Sequence, residues 1–405
     1  MGGIAPDRQR TAALDIDEEP ASIGAVMRAG RAHGAHRRII DRRIAAGSAN
    51  RGGLAARPGR EPRTGGLIGF PAWRDWRQVL EMRALVTGAT GFLGLWLVRQ
   101  LLERGYQVRA LVRPESPLGA LAGLGIEEAR GDVTLPESLP AAVGGCDLVF
   151  HLAGIRRAPK RDVFLKVNAA GTRALLEACL RGAPGMKRFV LAGSITAAGP
   201  SATGVSEEEP LRPVEWYGES KAEAERIAFS YRDRLPVTVA RPPRITGPGD
   251  RENLLFFRLA ARRVVLALSG PPRPLSFVDV QDCARGFLLL AEREEAVGEP
   301  FFLASDERTD LEGLQREAAR ALGVEPRRVT VPPWLLRTAG RAADAASLLL
   351  RRHLPMNRKL AEQILAPGWT CRTEKARRRL EFEARTSLRE SISRSALWYR
   401  EKGWI

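Results

Sequence analysis

From Met82 onward the chain alternates short, continuous apolar runs with longer stretches in which apolar residues recur every three or four positions. Arg83–Thr87 (Arg-Ala-Leu-Val-Thr) is the first such run and predicts a short buried strand. In Phe92–Arg104, Leu93, Leu97 and Leu101 form one stripe with Val98 and Leu102 beside it, which predicts an amphipathic helix ended by Gly105. Tyr106–Val112, Asp147–Leu152, Arg188–Ala192 and Val237–Ala240 read as further strands, and Val163–Arg181 and Trp216–Arg234 as helices between them. Strands alternating with helices imply the α/β class with a doubly wound, Rossmann-type parallel sheet. In the C-terminal third, Leu311–Leu322, Arg372–Leu380 and Ser387–Lys402 are predicted helical. Trp334–Leu350 is amphipathic, with Arg337, Arg341 and Asp344 on its polar side. It reads as a helix packed over a substrate pocket, with attachment to a membrane surface as the alternative.

Residues 1–81 follow neither pattern. They hold fourteen arginines and no lysine, and no apolar period from which a core could form. There is no apolar run of the secretory type, and Asp15, Asp17, Glu18 and Glu19 oppose a transit peptide. A disordered extension, translated from an upstream start and dispensable for function, is expected.

Charge changes the picture less than its size suggests. The net charge is +17, but arginine outnumbers lysine 57 to 7 and is spread throughout, with no interleaved basic and aromatic stripe. No nucleic-acid partner is expected. Cys146, Cys179, Cys283 and Cys371 are isolated, and the four histidines are scattered, so neither a disulfide framework nor a metal site is indicated. No apolar stretch approaches the length of about 18 residues that suggests a membrane span. A cytoplasmic protein acting on a small molecule is expected.

Between the first strand and helix lies Gly88-Ala-Thr-Gly-Phe-Leu-Gly94. Here Gly88 permits a tight turn, Gly91 lets the backbone approach a pyrophosphate, and Gly94 lets the helix sit close to the sheet. The phosphates would meet the free N–H groups of the helix N-terminus. An acid at the end of the second strand would bind a ribose 2′-OH, whereas an arginine accommodates a 2′-phosphate. The chain has Leu111-Val112-Arg113, with no acid before Glu115, which favours NADP(H) over NAD(H). Asp132, in Gly131-Asp132-Val133, is placed to reach the adenine.

Tyr217 and Lys221 share a helix face. An ammonium beside a phenol favours the phenolate and brings it within range of acid–base work, and lysine can also bond the nicotinamide ribose. Ser194, after the Arg188–Ala192 strand, is placed to hold the substrate oxygen.

These motifs resemble the extended short-chain dehydrogenase/reductases of the NAD-dependent epimerase/dehydratase type, over residues 82–405. Thr87 to Gly94 is similar to the family's TGxxGxxG turn, His151-Leu-Ala-Gly154 to its HxAA segment, and Asn168 to its structural asparagine. Ser194, Tyr217 and Lys221 match its catalytic set. Arg241-Pro-Pro-Arg-Ile-Thr-Gly-Pro-Gly-Asp250, Phe277-Val-Asp-Val-Gln-Asp282 and Trp398–Trp404 resemble further landmarks. The resemblance implies a cofactor site of Thr87, Gly88, Thr90, Gly91, Phe92, Leu93, Gly94, Arg113, Asp132, Val133, Leu152, Ala153, Gly154, Asn168, Tyr217, Lys221, Pro242 and Ile245. It also implies a Rossmann domain over 82–310 with interleaved substrate-lobe segments, a smaller α/β substrate lobe over 311–405, and a homodimer.

The departures bear on substrate. Ile195 and Thr196 stand where family dehydratases have an acidic pair, which disfavours elimination of water. Thr246, Arg244 and Asp279 replace residues usual in their landmarks. The favoured activity is hydride transfer at a secondary alcohol or ketone, as in dihydroflavonol reductases and 3β-hydroxysteroid dehydrogenases, with Leu254–Leu268 and Trp334–Leu350 lining an apolar pocket. One alternative is a nucleotide-sugar 4-epimerase with tightly held NAD, for which Arg262, Arg263 and Arg273 would bind the diphosphate. The other is a dinucleotide-sensing protein without catalysis.

Overall fold

The computed structural model describes residues 82–350 and 357–405; the extension read over residues 1–81 lies outside them. Seven parallel strands form the main sheet: β1 (Arg83–Thr87), β2 (Gln107–Val112), β3 (Glu127–Arg130), β4 (Leu148–His151), β5 (Arg188–Ala192), β6 (Val237–Arg241) and β7 (Pro300–Phe302). Their spatial order is β7-β6-β5-β4-β1-β2-β3, which is the doubly wound arrangement. Val86 lies opposite Ala110 of β2 and Phe150 of β4, so β1 sits where the order reverses. In doubly wound sheets that switch point, beyond the carboxyl ends of the strands, is where ligands bind.

Helices α1 (Phe92–Glu103), α2 (Gly171–Gly182), α3 (Trp216–Phe229) and α4 (Val280–Glu292) cover the sheet. Alternate residues of each strand point to opposite faces. Ala84, Val86, Phe150 and Val190 pack with Leu97 and Leu101 of α1 and Phe287 of α4. Leu85, Val149, Phe189 and Leu191 pack with Leu175 and Leu176 of α2 and Ala228 of α3. Burial on both faces explains why these strands read as continuous apolar runs. Strand β3 (Glu-Glu-Ala-Arg) was not visible in the pattern, because it is an exposed edge strand held by β2 alone. The helix predicted over Val163–Arg181 is three pieces: Arg161–Phe164, a π-helical stretch Leu165–Ala170, and α2.

A second sheet draws its strands from distant parts of the chain: Ser201–Val205, Leu275–Asp279, Arg308–Thr309 and Trp369–Cys371, with Arg244–Thr246 beside Leu275–Asp279. A separate parallel pair joins Val264–Leu268 to Arg327–Val331. Helices α5 (Leu311–Leu322), α6 (Pro333–Leu350) and α7 (Leu388–Glu401) complete this half. Its core gathers Phe257, Phe277, Leu314, Ile392 and Tyr399. The apolar run Leu254–Leu268, expected to line a pocket, instead puts Phe257, Ala260, Val265 and Ala267 out of solvent, with Phe257 and Ala260 inside this core. Helix α6 packs against Arg358–Leu365 and leaves Trp334 and Leu335 exposed. Among the described residues no helix is long and apolar enough to cross a membrane.

Two anchors fix α7. Asp279 is buried, accepts the Gln281 N–H at the start of α4 (2.9 Å), and receives the Ser391 hydroxyl (2.6 Å). The Tyr399 hydroxyl donates to the Asp250 carbonyl.

Candidate active site

At the cofactor end, each glycine of the turn meets a different demand. Gly88 has φ +70°, and a side chain there would meet the Ala153 nitrogen at 2.8 Å. A Cβ at Gly94 would lie 2.1 Å from the Gly88 carbonyl oxygen, so Gly94 allows the first turn of α1 to close onto the glycine turn itself rather than onto the sheet. A Cβ at Gly91 would meet only that same oxygen, at 3.1 Å, and beyond it the space is open. Gly91 caps α1 without a side-chain acceptor, and the first turn carries no acid. An uncapped helix N-terminus facing open space fits a pyrophosphate.

Thr87 ties this turn to β4. Its hydroxyl accepts the Ala153 N–H (3.0 Å) and bonds His151 Nδ1 (2.8 Å). On the other side of the ring, Nε2 lies 3.1 Å from Thr172 Oγ1, which itself donates to the Asn168 carbonyl (2.6 Å). Every group is satisfied when His151 is neutral with its proton on Nε2. Burial, helped by the Lys221 charge, holds His151 down to about 3. Its two ring bonds join β1, β4 and α2.

The other residues expected around the cofactor line the same carboxyl edge. Thr90, Leu93, Leu152 and Ala153 are half-buried, and Phe92 lies beside Gly249. Arg113 is exposed at the end of β2, its carbonyl taking a bond from Arg130 at the end of β3. Asp132 accepts both the N–H and the hydroxyl of Thr134 (2.7 and 2.8 Å), so one of its oxygens serves its own turn. Val133 is buried against Gly171. The Pro242 carbonyl accepts the Ile195 N–H (3.1 Å), and Ile245 packs on the core beneath.

At the catalytic end, Ser194 follows β5 and caps the single turn Ile195–Ala198. Its Oγ accepts the Thr196 N–H (3.2 Å) and hydroxyl (2.9 Å), which leaves its own proton for another acceptor. Glu215 caps α3 by accepting the N–H groups of Tyr217 and Gly218, both at 2.6 Å. A Cβ at Gly218 would lie 2.5 Å from the Thr196 carbonyl, so the start of α3 presses onto the Ser194 turn. That contact brings Tyr217 to Ser194. One turn along, buried Lys221 donates to the Ala192 carbonyl (2.7 Å), with Nζ 5.9 Å from the Tyr217 ring centre. Asn168, in the π-helical stretch, joins both carbonyl and N–H of Ile155 to Ser220 (2.8–3.0 Å). Gly154 sits between these groups: its Cβ would be 2.9 Å from Asn168 Oδ1 and 3.4 Å from Lys221 Nζ.

Burial raises the Tyr217 phenol above its usual range, opposed by the Arg156 charge and a hydrogen bond with Ser194. Lys221 is brought down to about 8 by burial and by Arg156. Such a site can hand a proton to a bound carbonyl oxygen or take one from an alcohol.

Several neighbours were not anticipated from sequence. Arg156 puts its guanidinium 5.8 Å from the Tyr217 ring centre; its signal was its place two residues beyond Gly154, masked by the abundance of arginine. Arg244 donates to Asn253 (2.6 Å) over the Phe256 ring. Buried Asp250 is pushed up to about 6 by desolvation. Arg273, expected to bind a diphosphate, instead serves the carbonyls of Ser269, Pro271 and Leu365.

Comparison with known proteins agrees with this arrangement. Residues 84–304 match the model of the NAD dependent epimerase/dehydratase family. The chain is 32% identical to a ceramide reductase of Caulobacter vibrioides, over 79% of this chain and 95% of that protein. It is 32% identical to sterol demethylase protein B of Methylococcus capsulatus, over 80% of this chain and all of that one. The solved structure of MoeE5 in complex with UDP-glucuronic acid and NAD superposes with a TM-score of 0.62 at 25% identity, covering 79% and 99% of the two chains. The chain belongs to the NAD-dependent epimerase/dehydratase family, as an NAD(P)-dependent oxidoreductase on a Rossmann fold.

Proposed function

We propose that the protein reduces a ketone to a secondary alcohol, or runs the reverse oxidation, on a largely apolar substrate, with NADP(H) supplying or accepting the hydride. The observation that carries this reading is the Tyr217 phenol set between Ser194 and Lys221 at the end of β5. In the reducing direction Tyr217 donates its proton to the carbonyl oxygen. Ser194 orients that oxygen with the hydroxyl proton that Thr196 leaves free. Lys221, held by the Ala192 carbonyl, stabilises the phenolate left behind. The α1 N-terminus and Gly91 receive the pyrophosphate, and Arg113 receives a 2′-phosphate.

The two relatives named as ceramide reductase and sterol demethylase protein B support an apolar substrate, because both names denote work on lipids. The likeness to MoeE5 with its nucleotide sugar supports the second reading, a 4-epimerase. Against it stands Arg273, whose Nε and Nη1 face backbone carbonyls of Leu365, Ser269 and Pro271. A homodimer belongs to the same proposal. The outer side of α2 and α3 holds a 530 Å³ groove in which Glu219 and Glu223 stand beside Arg173 and Arg226, a charge pattern able to match a second copy.

One experiment separates the readings: denature the purified protein, identify any nucleotide released, then titrate with NADPH and NADH. An empty site that prefers NADPH and turns over apolar ketones supports the reductase. Stoichiometric bound NAD with activity on nucleotide sugars supports the epimerase. Dinucleotide binding without turnover of either class returns the sensing role.

A further inference from the structure

We propose that Arg156 is an anion-binding residue of the substrate pocket, and that the substrate carries a carboxylate close to the reacting carbonyl, as a 3-oxo acid does. This rests on the reading of Tyr217 as the proton donor. Arg156 follows β4 in the loop that also supplies Gly154, and its guanidinium carbon stands 5.8 Å from the Tyr217 ring centre. It is therefore beside the reacting atoms, and its side chain is exposed.

Among the described residues no carboxylate lies within ion-pair distance of Arg156, although Glu252, Asp250 and Glu215 are near enough to act on it electrostatically. Each of the three has other work. Glu252 pairs with Arg157 at 2.9 Å. Asp250 accepts the N–H groups of Glu252 (2.7 Å) and Asn253 (3.3 Å). Glu215 holds the start of α3. Arg244 adds a second guanidinium on the same side, bonded to neutral Asn253 rather than to an acid.

A substrate made only of hydrocarbon and one ketone offers such a cation no partner. A bound carboxylate supplies one, and the planar fork of Arg156 matches it in two parallel bonds. In a 3-oxo acid one carbon separates carboxylate from ketone, a span that lets Arg156 hold the first while Tyr217 and Ser194 hold the second.

The test compares 3-oxodecanoate with its methyl ester, using NADPH and full-length wild type, Arg156→Gln and Arg156→Lys. The acid-to-ester ratio of kcat/KM is expected to fall about tenfold to a hundredfold in Arg156→Gln, the scale of a lost hydrogen bond to a charged group, and to recover in part in Arg156→Lys. An unchanged ratio overturns the proposal. A second arm does not depend on turnover: calorimetric titration with octanoate and octanamide in the presence of NADP+. The octanoate-to-octanamide affinity ratio should drop about tenfold in Arg156→Gln. If wild type reduces no ketone, the reductase reading falls while this ratio still decides the fate of the anion site.

Discussion

Tyr217 sits between opposing influences: enclosure keeps its proton on, while Arg156 and Ser194 pull it off. Tyr217→Phe removes the transferable proton and little else, so kcat should fall by about 10²–10⁴ while NADPH affinity stays close to wild type. Steady-state kinetics and a fluorescence titration check the two halves; full turnover in the variant refutes the assigned role. His151 yields a prediction of another kind. In the unfolded chain its ring takes up a proton near 6.5, but in the folded protein only near 3. Between those values the unfolded state binds more protons, so stability contributed by His151 is complete above 6.5 and is lost as pH falls towards 3. Urea unfolding at a series of pH values should show that decline, and His151→Asn should flatten it. An equal slope in the variant would assign the decline to other groups.

At the scale of elements, the glycine turn and α1 act as one unit, and two of its glycines separate folding from binding. Gly94→Ala drives a methyl into the Gly88 carbonyl and should cost about 1–3 kcal/mol as well as NADPH binding. Gly91→Ala meets one atom at 3.1 Å and otherwise faces open space, so it should keep its melting temperature near wild type and lose cofactor affinity. Thermal melts with parallel cofactor titrations distinguish the two; equal destabilisation in both would contradict the geometry. Legibility followed burial. Strands β1, β2 and β4 to β6 announced themselves because both of their faces are covered, whereas Glu-Glu-Ala-Arg of β3 offers no apolar signal. The π-helical stretch was invisible because it keeps nearly the same apolar period as the helix around it. The strands of the second sheet have two to five residues, and their partners lie far away in the chain. The glycine turn and the Tyr217–Lys221 spacing were legible because local geometry alone demands them. Arg156 was not, since its meaning depends on a ring 61 residues further along in a chain with 57 arginines.

For the molecule as a whole, a net charge of +17 sets up a field that draws in an anionic cofactor. The kcat/KM for NADPH should therefore fall as salt is raised, more steeply than that for a neutral ketone at saturating NADPH. Equal salt dependence would show that the charge is too diffuse to steer. Arg113→Ser should shift preference from NADPH towards NADH, read as the ratio of their kcat/KM values. The path of the chain has a further consequence. It contributes to the second sheet at Ser201–Val205, returns for β6, leaves for Arg244–Thr246 and Leu275–Asp279, returns for β7, and leaves again at Arg308. No single splice exchanges one half for that of a relative, because every cut severs strands from a sheet on both sides. A new substrate is reached more directly side chain by side chain, at positions such as Arg156 that stand beside Tyr217 on a loop of the main sheet.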